Sequence, residues 1–99
     1  MQTPQKTAVI ETLRQHWPEL HALGVEHLDL VGSVATDTAA ADSDVDLVAD
    51  FSGTLDFIQF FDLVDRLEAI LHCPVDLMSR RALRPHWRDK FATAAVRVA

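Results

Sequence analysis

The apolar positions along the chain change period several times, and each change marks an element. Val9, Ile10, Leu13, Trp17 and Leu20 recur at three- and four-residue spacing, the mark of one buried helix face. Thr3 before Pro4 reads as an N-cap with proline at the first helical position. Trp17-Pro18 interrupts or ends that helix, and Gly24 supplies its C-cap. Residues 25–31 (VEHLDLV) read as a strand that runs straight into Gly32-Ser33. Residues 34–43 (VATDTAAADS) are small and polar, a short helical turn plus loop. From 44 to 51 (DVDLVADF) the pattern alternates. Val45, Leu47, Ala49 and Phe51 fall on one face, and Asp44, Asp46, Val48 and Asp50 on the other.

Ser52-Gly53-Thr54 breaks this strand and is predicted to cap a long helix reaching to about His72. Its wide apolar face takes in Phe57, Phe60, Phe61, Val64, Leu67 and Leu71. Pro74 to Met78 reads as a third strand. Leu83, Trp87, Phe91 and Ala95, four residues apart, predict a last helix beginning near Pro85. The order α-β-α-β-α-β-α predicts an α/β (α+β) fold in which helices pack a small mixed sheet.

Composition narrows the class without naming a function. The 99 residues fit one domain spanning 1–99, with no repeat or linker to divide it. Hydrophobic residues make up 48% and charged residues 24%, which supports a globular core and excludes a disordered chain. The first residues are charged where a signal peptide is apolar, and no run approaches a membrane span. The one cysteine, Cys73, excludes an internal disulfide, so the expected location is cytoplasmic.

Charge is divided unevenly along the chain. Residues 1–79 carry three basic and fourteen acidic side chains, a balance of −11, whereas 80–99 carry six basic ones against Asp89, a balance of +5. An acidic body repels phosphates, so direct nucleic-acid binding is not expected. It suits a metal ion or a basic protein partner.

The candidate chemistry lies in three places. Gly32 lets a backbone amide approach a phosphate with no Cβ in the way, and Ser33 adds a hydroxyl donor. Asp44 and Asp46, two apart on a strand, point to one face about 6–7 Å from each other. Two such carboxylates ionise together only beside a cation or ample water, and they are hard oxygen ligands of the kind Mg²⁺ takes. Asp76 lies on the open face of the third strand. Paired beside residues 44–51, that strand would set all three acids next to the Gly-Ser turn. Such a cluster suits metal-assisted phosphoryl or nucleotidyl transfer.

The run GSVATDTAAADSDVDLV, Gly32 to Val48, resembles the GS-x10-DxD signature of the polymerase-β-like nucleotidyltransferases. The small size, the VDLM strand and the RRALRPHWRDKFATAAVRV tail are similar to those of the minimal nucleotidyltransferases (MNT). The resemblance implies a minimal polymerase-β-like fold. It also implies that Gly32 and Ser33 bind the triphosphate, that Asp44 and Asp46 bind Mg²⁺, and that Asp76 binds metal or assists the nucleophile. It further implies an antitoxin that moves AMP from ATP to a tyrosine of a partner HEPN-domain ribonuclease toxin, or that neutralises the toxin by binding alone. With no tyrosine of its own, the chain would need that acceptor on another protein.

The phosphate loop departs from the family pattern GSxARGxA. Ala35 and Ala39 match, but Thr36 stands at the arginine position and Asp37 at the glycine. Exchanging a cation for an anion beside a triphosphate costs about 1–3 kcal/mol for a charge-assisted hydrogen bond. Arg80, Arg81 or Arg84 are the candidates to replace it. Asp50 is read as solvated, the five histidines as surface or interface groups, and Cys73 as a small buried hydrophobe.

Overall fold

A proline in the middle of the first apolar stripe gives the fold two opening helices instead of one. The computed structural model describes residues 5–36, 44–86, 89 and 95–99. Helix α1, Lys6–Gln15, buries Val9, Ile10 and Leu13, and helix α2, Trp17–Ala22, buries Leu20. Pro18 sits in the first turn of α2, where a missing amide costs nothing. Thr3 and Pro4 lie outside the described residues; α1 begins after Gln5, with no side-chain cap. Gly24, at φ +102°, turns the chain out of α2, and its amide donates to the His21 carbonyl at 3.0 Å.

Among the described residues four strands, β1 (Val25–Val31), β2 (Val45–Phe51), β3 (Val75–Ser79) and β4 (Val96–Arg97), form one mixed sheet in the order β3-β2-β1-β4. Strand β1 lies antiparallel to β2, and β2 lies parallel to β3. The parallel pair needs a crossover, and helix α4, Phe57–Leu71, provides it. Leu28, Leu30, Val45, Leu47, Ala49, Val75 and Leu77 face the helices and form the core with Leu63, Leu67 and Ile70 of α4. Strand alternation then sends His27, Asp29 and Val31, Asp46, Val48 and Asp50, and Asp76 and Met78 to the opposite face.

Two parts of the sequence reading need correction. Helix α4 begins after Asp56, not at Ser52-Gly53-Thr54: the Asp56 carboxylate accepts from the Gln59 amide at 2.8 Å while the Gln59 side chain accepts from the Asp56 amide at 3.1 Å. Its buried stripe is also rotated. Leu67 is buried and Phe60, Val64 and Leu71 pack against the core as predicted, but Leu63 and Ile70 are buried as well, whereas Phe57 and Phe61 are 83% and 60% exposed. The helix carries apolar residues on more than one face, so periodicity alone did not say which face meets the sheet.

The second correction concerns the end of the C-terminal region only: Pro85, His86 and Asp89 are helical, as the sequence predicts, but Ala95 is not. Arg80–Ala82 form a single 3-10 turn after β3, and Val96–Arg97 form a fourth strand, β4, antiparallel to β1. Ala95, read as the end of a helical stripe, stands outside any helix just before β4; Trp87 and Phe91 lie outside the described residues. The Val98 amide donates to the Leu28 carbonyl at 2.8 Å and the Arg14 guanidinium to the Val98 carbonyl at 2.8 Å, which ties this end to β1 and α1.

Candidate active site

The end of β1 delivers a turn onto the carboxylates of β2. Val31 pairs with Asp46, and the next residue, Gly32, opens the four-residue helical turn α3, Gly32–Ala35. Gly32 has φ +74°, a conformation that disfavours any side chain. A Cβ there would collide with the Asp46 carboxylate, lying 3.2 Å from its Cγ and 3.3 Å from its Cβ. Glycine is thus required twice, for the backbone angle and for the close approach of Asp46. No side chain caps α3, and Ser33 is its second residue, half-buried.

Register brings the acids together. Asp46 stands directly opposite Asp76 in the parallel β2–β3 pair, across a strand spacing of about 4.8 Å. Asp44 enters β2 two residues earlier, about 6–7 Å along the strand. Asp44 and Asp76 are exposed and Asp46 is half-buried. All the residues singled out in the sequence therefore gather at one end of the sheet: Gly32, Ser33, Asp44, Asp46 and Asp76.

Their charges act on one another. Burial pushes the Asp46 carboxyl above the usual aspartate range, and the neighbouring Asp76 and Asp44 push it further. Among the described residues no Arg or Lys side chain is paired with these three acids. Nor do three acid, imidazole or thiol groups converge closely enough to hold a metal by themselves. Mg²⁺ does not require that: one or two carboxylates, waters and substrate phosphates complete its octahedron. The donor set of Asp44, Asp46 and Asp76 fits that ion, and a cation would relieve their mutual repulsion. Cys73 is held protonated by burial, Asp44 and Glu68, which agrees with an unreactive thiol.

A second charged cluster on the same face was missed in the sequence. Asp29 is 5% exposed and receives the guanidinium of Arg80, while Arg97 of β4 donates to it at 2.9 Å. Arg80 also donates to Asp50 at 3.1 Å, so Asp50 is ion-paired and not merely solvated. Arg97 further reaches the His27 ring nitrogen at 3.1 Å. Arg80 is therefore committed to Asp29 and Asp50, and the replacement cation proposed for the phosphate loop is not supplied by an unpaired Arg80. The signal for this cluster was a lone acid between Leu28 and Leu30 in an otherwise apolar stretch, legible only once a partner strand was known. Thr36 turns its hydroxyl back onto the Gly32 and Ser33 carbonyls, each at 3.3 Å. Asp37 lies outside the described residues.

Comparison with known proteins agrees with this geometry. A family model described as polymerase beta, nucleotidyltransferase, matches residues 11–96. Over 73 residues the chain is 36% identical to the protein adenylyltransferase MntA of Thermococcus cleftensis, covering 73% of this chain and 74% of that one. Two solved structures share the fold. A toxin–antitoxin with AMP-PNP superposes with a TM-score of 0.71 at 24% identity, covering 95% of this chain and 72% of that one. The tri-AMPylated HEPN toxin of Shewanella oneidensis in complex with its MNT antitoxin gives 0.68 at 19% identity, covering 91% and 71%. The sheet order, the Gly-Ser turn seated on Asp46 and the family match over most of the chain lead to one assignment: the chain belongs to the polymerase β family of nucleotidyltransferase enzymes.

Proposed function

We propose that this chain is the antitoxin of a HEPN/MNT pair and transfers AMP from ATP to a hydroxyl, a tyrosine by preference, of the partner HEPN toxin. The observation that supports the reading is the register of Asp46 with Asp76 beside the Gly32 turn, which sets a carboxylate pair next to the Gly-Ser turn. The names of similar proteins support it: an adenylyltransferase of proteins, a toxin–antitoxin with a nucleotide analogue, and a toxin carrying AMP.

In this reading Asp44 and Asp46 hold Mg²⁺, and Asp76 holds metal or orients and deprotonates the acceptor. Bound Mg²⁺ would neutralise charge on the transferring phosphorus and the leaving pyrophosphate. Gly32 and Ser33 hold the leaving phosphates: glycine lets the backbone approach them with no Cβ in the way, and the serine hydroxyl is a donor. The acceptor oxygen forms a bond to the α-phosphorus as the bond to pyrophosphate breaks, and its proton passes to a nearby carboxylate.

A second reading, neutralisation by binding alone, is favoured by the loop. Thr36 offers no cation, and its hydroxyl is bonded to the turn's own carbonyls. Intact mass of the HEPN protein after incubation with this chain, ATP and Mg²⁺ separates the two. The transferase reading expects a gain of one or more AMP units that Asp44→Asn abolishes. A stable complex whose partner gains no mass would leave the binding reading alone.

A further inference from the structure

The first turns of α4 present an apolar surface to solvent, far from the carboxylate cluster. Phe57 is 83% exposed, Ile58 74% and Phe61 60%. Phe57 and Phe61 are four residues apart and Ile58 and Phe61 three, so the three side chains form one continuous patch. Together they expose roughly 400 Å² of apolar surface, the range in which the largest patch of a small protein is commonly functional. The patch does not end at the helix. The Phe61 ring lies 6.2 Å from the Phe60 ring, which lies 6.3 Å from Phe51. Phe51, Leu55 and Phe60 line the apolar side of an adjoining cavity of about 430 Å³ whose polar side carries two acids, Glu26 and Asp50, and one base, Arg81. An exposed aromatic ridge thus leads into a socket large enough for one or two side chains.

The charge around the patch states what it fits. Asp62 lies one turn beyond Ile58 and Asp65 one turn beyond Phe61, both exposed, and Asp56 precedes Phe57. From Thr54 to Asp65 there are three acids and no base. The nearest cation on the helix, Arg66, is engaged by both Glu19 carboxylate oxygens. Packing α4 against α4 of a second copy would bring these acids together, so self-association through this face is opposed by charge. A basic surface with an apolar side chain for the socket is complementary in both respects.

We infer that this ridge and socket are the docking face for the protein acceptor, and that they bind a basic, apolar segment of it. The inference rests on the reading of the chain as a HEPN-toxin partner. The socket lies at the Phe51 end of β2, about 16 Å along the strand from Asp46, so binding and chemistry use opposite ends of the sheet. That separation lets a folded partner be held at one end while its hydroxyl reaches the other.

The test measures the affinity of the full chain for its HEPN-domain partner protein, with AMP-PNP and Mg²⁺ binding to the chain followed in parallel. Phe57→Ser/Phe61→Ser changes only exposed side chains. It should weaken the protein complex at least tenfold and leave AMP-PNP affinity unchanged. Asp62→Lys/Asp65→Lys should also weaken the complex about tenfold, with the difference shrinking as salt is raised. Variants that bind the HEPN protein as tightly as wild type overturn the inference. So does a wild-type chain that does not bind it, or one that forms dimers which Phe57→Ser/Phe61→Ser dissolves. A HEPN protein that binds through the patch yet never gains AMP refutes the transferase reading while leaving the docking face in place.

Discussion

Asp46 and Asp76 face each other across adjacent parallel strands, and the pairing is fixed by core residues on the other side of the sheet. Val45 with Val75 and Leu47 with Leu77 bracket the two acids in the same register, and all four are buried. A one-residue slip of β3 against β2 would turn Asp76 into the core and Val75 and Leu77 out of it. The core therefore holds together two charges that repel, and the site's geometry is a consequence of packing, not of attraction within the site.

That relationship predicts opposite effects on stability and on transfer. A carboxyl whose folded pKa is raised binds its proton more tightly folded than unfolded, so ionising it at neutral pH works against the fold. The penalty is absent below the ordinary aspartate range, grows as pH rises through the raised value, and is constant above it. Asp46→Asn should therefore raise Tm at pH 7, and the gain should vanish in acid. Added Mg²⁺ should raise the Tm of wild type more than that of the variant. Nucleotidyl transfer should fall by about three orders of magnitude. Thermal melts across pH, paired with partner mass, check both; a variant less stable than wild type at pH 7 would contradict the electrostatic account.

Gly32 should tolerate no side chain, for two separable reasons. Gly32→Ala meets the left-handed backbone penalty of about 1–2 kcal/mol and also displaces the Asp46 carboxylate. In the Gly32→Ala/Asp46→Ala double variant the collision with the carboxylate is reduced while the backbone penalty stays. Urea unfolding of the two singles and the double should show a favourable coupling between the sites. Additive losses would mean that Asp46 already has room to move.

What could be read in the chain, and what could not, divides along the range of the interaction. Strands β1, β2 and β3 were legible because a strand with one buried face writes a period of two, and Gly32, Ser33, Asp44 and Asp46 were placed by short spacings within them. Asp76 needed only the assumption that β3 pairs with β2. The start of α4 was misplaced because Thr54 and Asp56 are both acceptable caps, and only Asp56 has Gln59 three residues on. Phe57 and Phe61 were read as core because hydrophobicity says that a side chain can be buried, not that a partner within the chain exists to bury it. Strand β4 is two residues long, too short to have a period. The Asp29 cluster joins residues 51 and 68 apart in sequence, a distance no local pattern spans.

Asp56→Ala removes one half of the capping box: the Gln59 amide loses its side-chain partner, while the amide of residue 56 can still donate to the Gln59 side chain. The expected loss is about 1 kcal/mol, or roughly 4–8 °C in Tm for a domain of this size. Because α4 connects β2 to β3, its first turn should exchange amide hydrogens faster in the variant, while Leu67 and Ile70, buried near the other end, keep their protection. A change confined to the last turn of α4 would place the cap's influence elsewhere.

Asp29 provides the sharpest test of whether the second charged cluster is structural. Its carboxylate is buried and joins Arg80, which follows β3, to Arg97 of β4, so one side chain links the two edges of the sheet. Asp29→Ala removes these bonds but leaves the two arginines able to reach water, since Arg80 is 29% and Arg97 56% exposed. The expected cost is about 1–3 kcal/mol. Arg80→Ala leaves Asp29 buried with Arg97 as its remaining cation and also releases Asp50. Double-mutant cycles on Asp29 with Arg80 and with Arg97 should give couplings of the same sign, larger for Arg80 because its guanidinium is better shielded from solvent. The Asp44–Asp46–Asp76 end should keep its Mg²⁺-dependent rise in Tm in Asp29→Ala. Loss of that rise would mean that the cluster shapes the carboxylate site and does not merely hold the sheet edges.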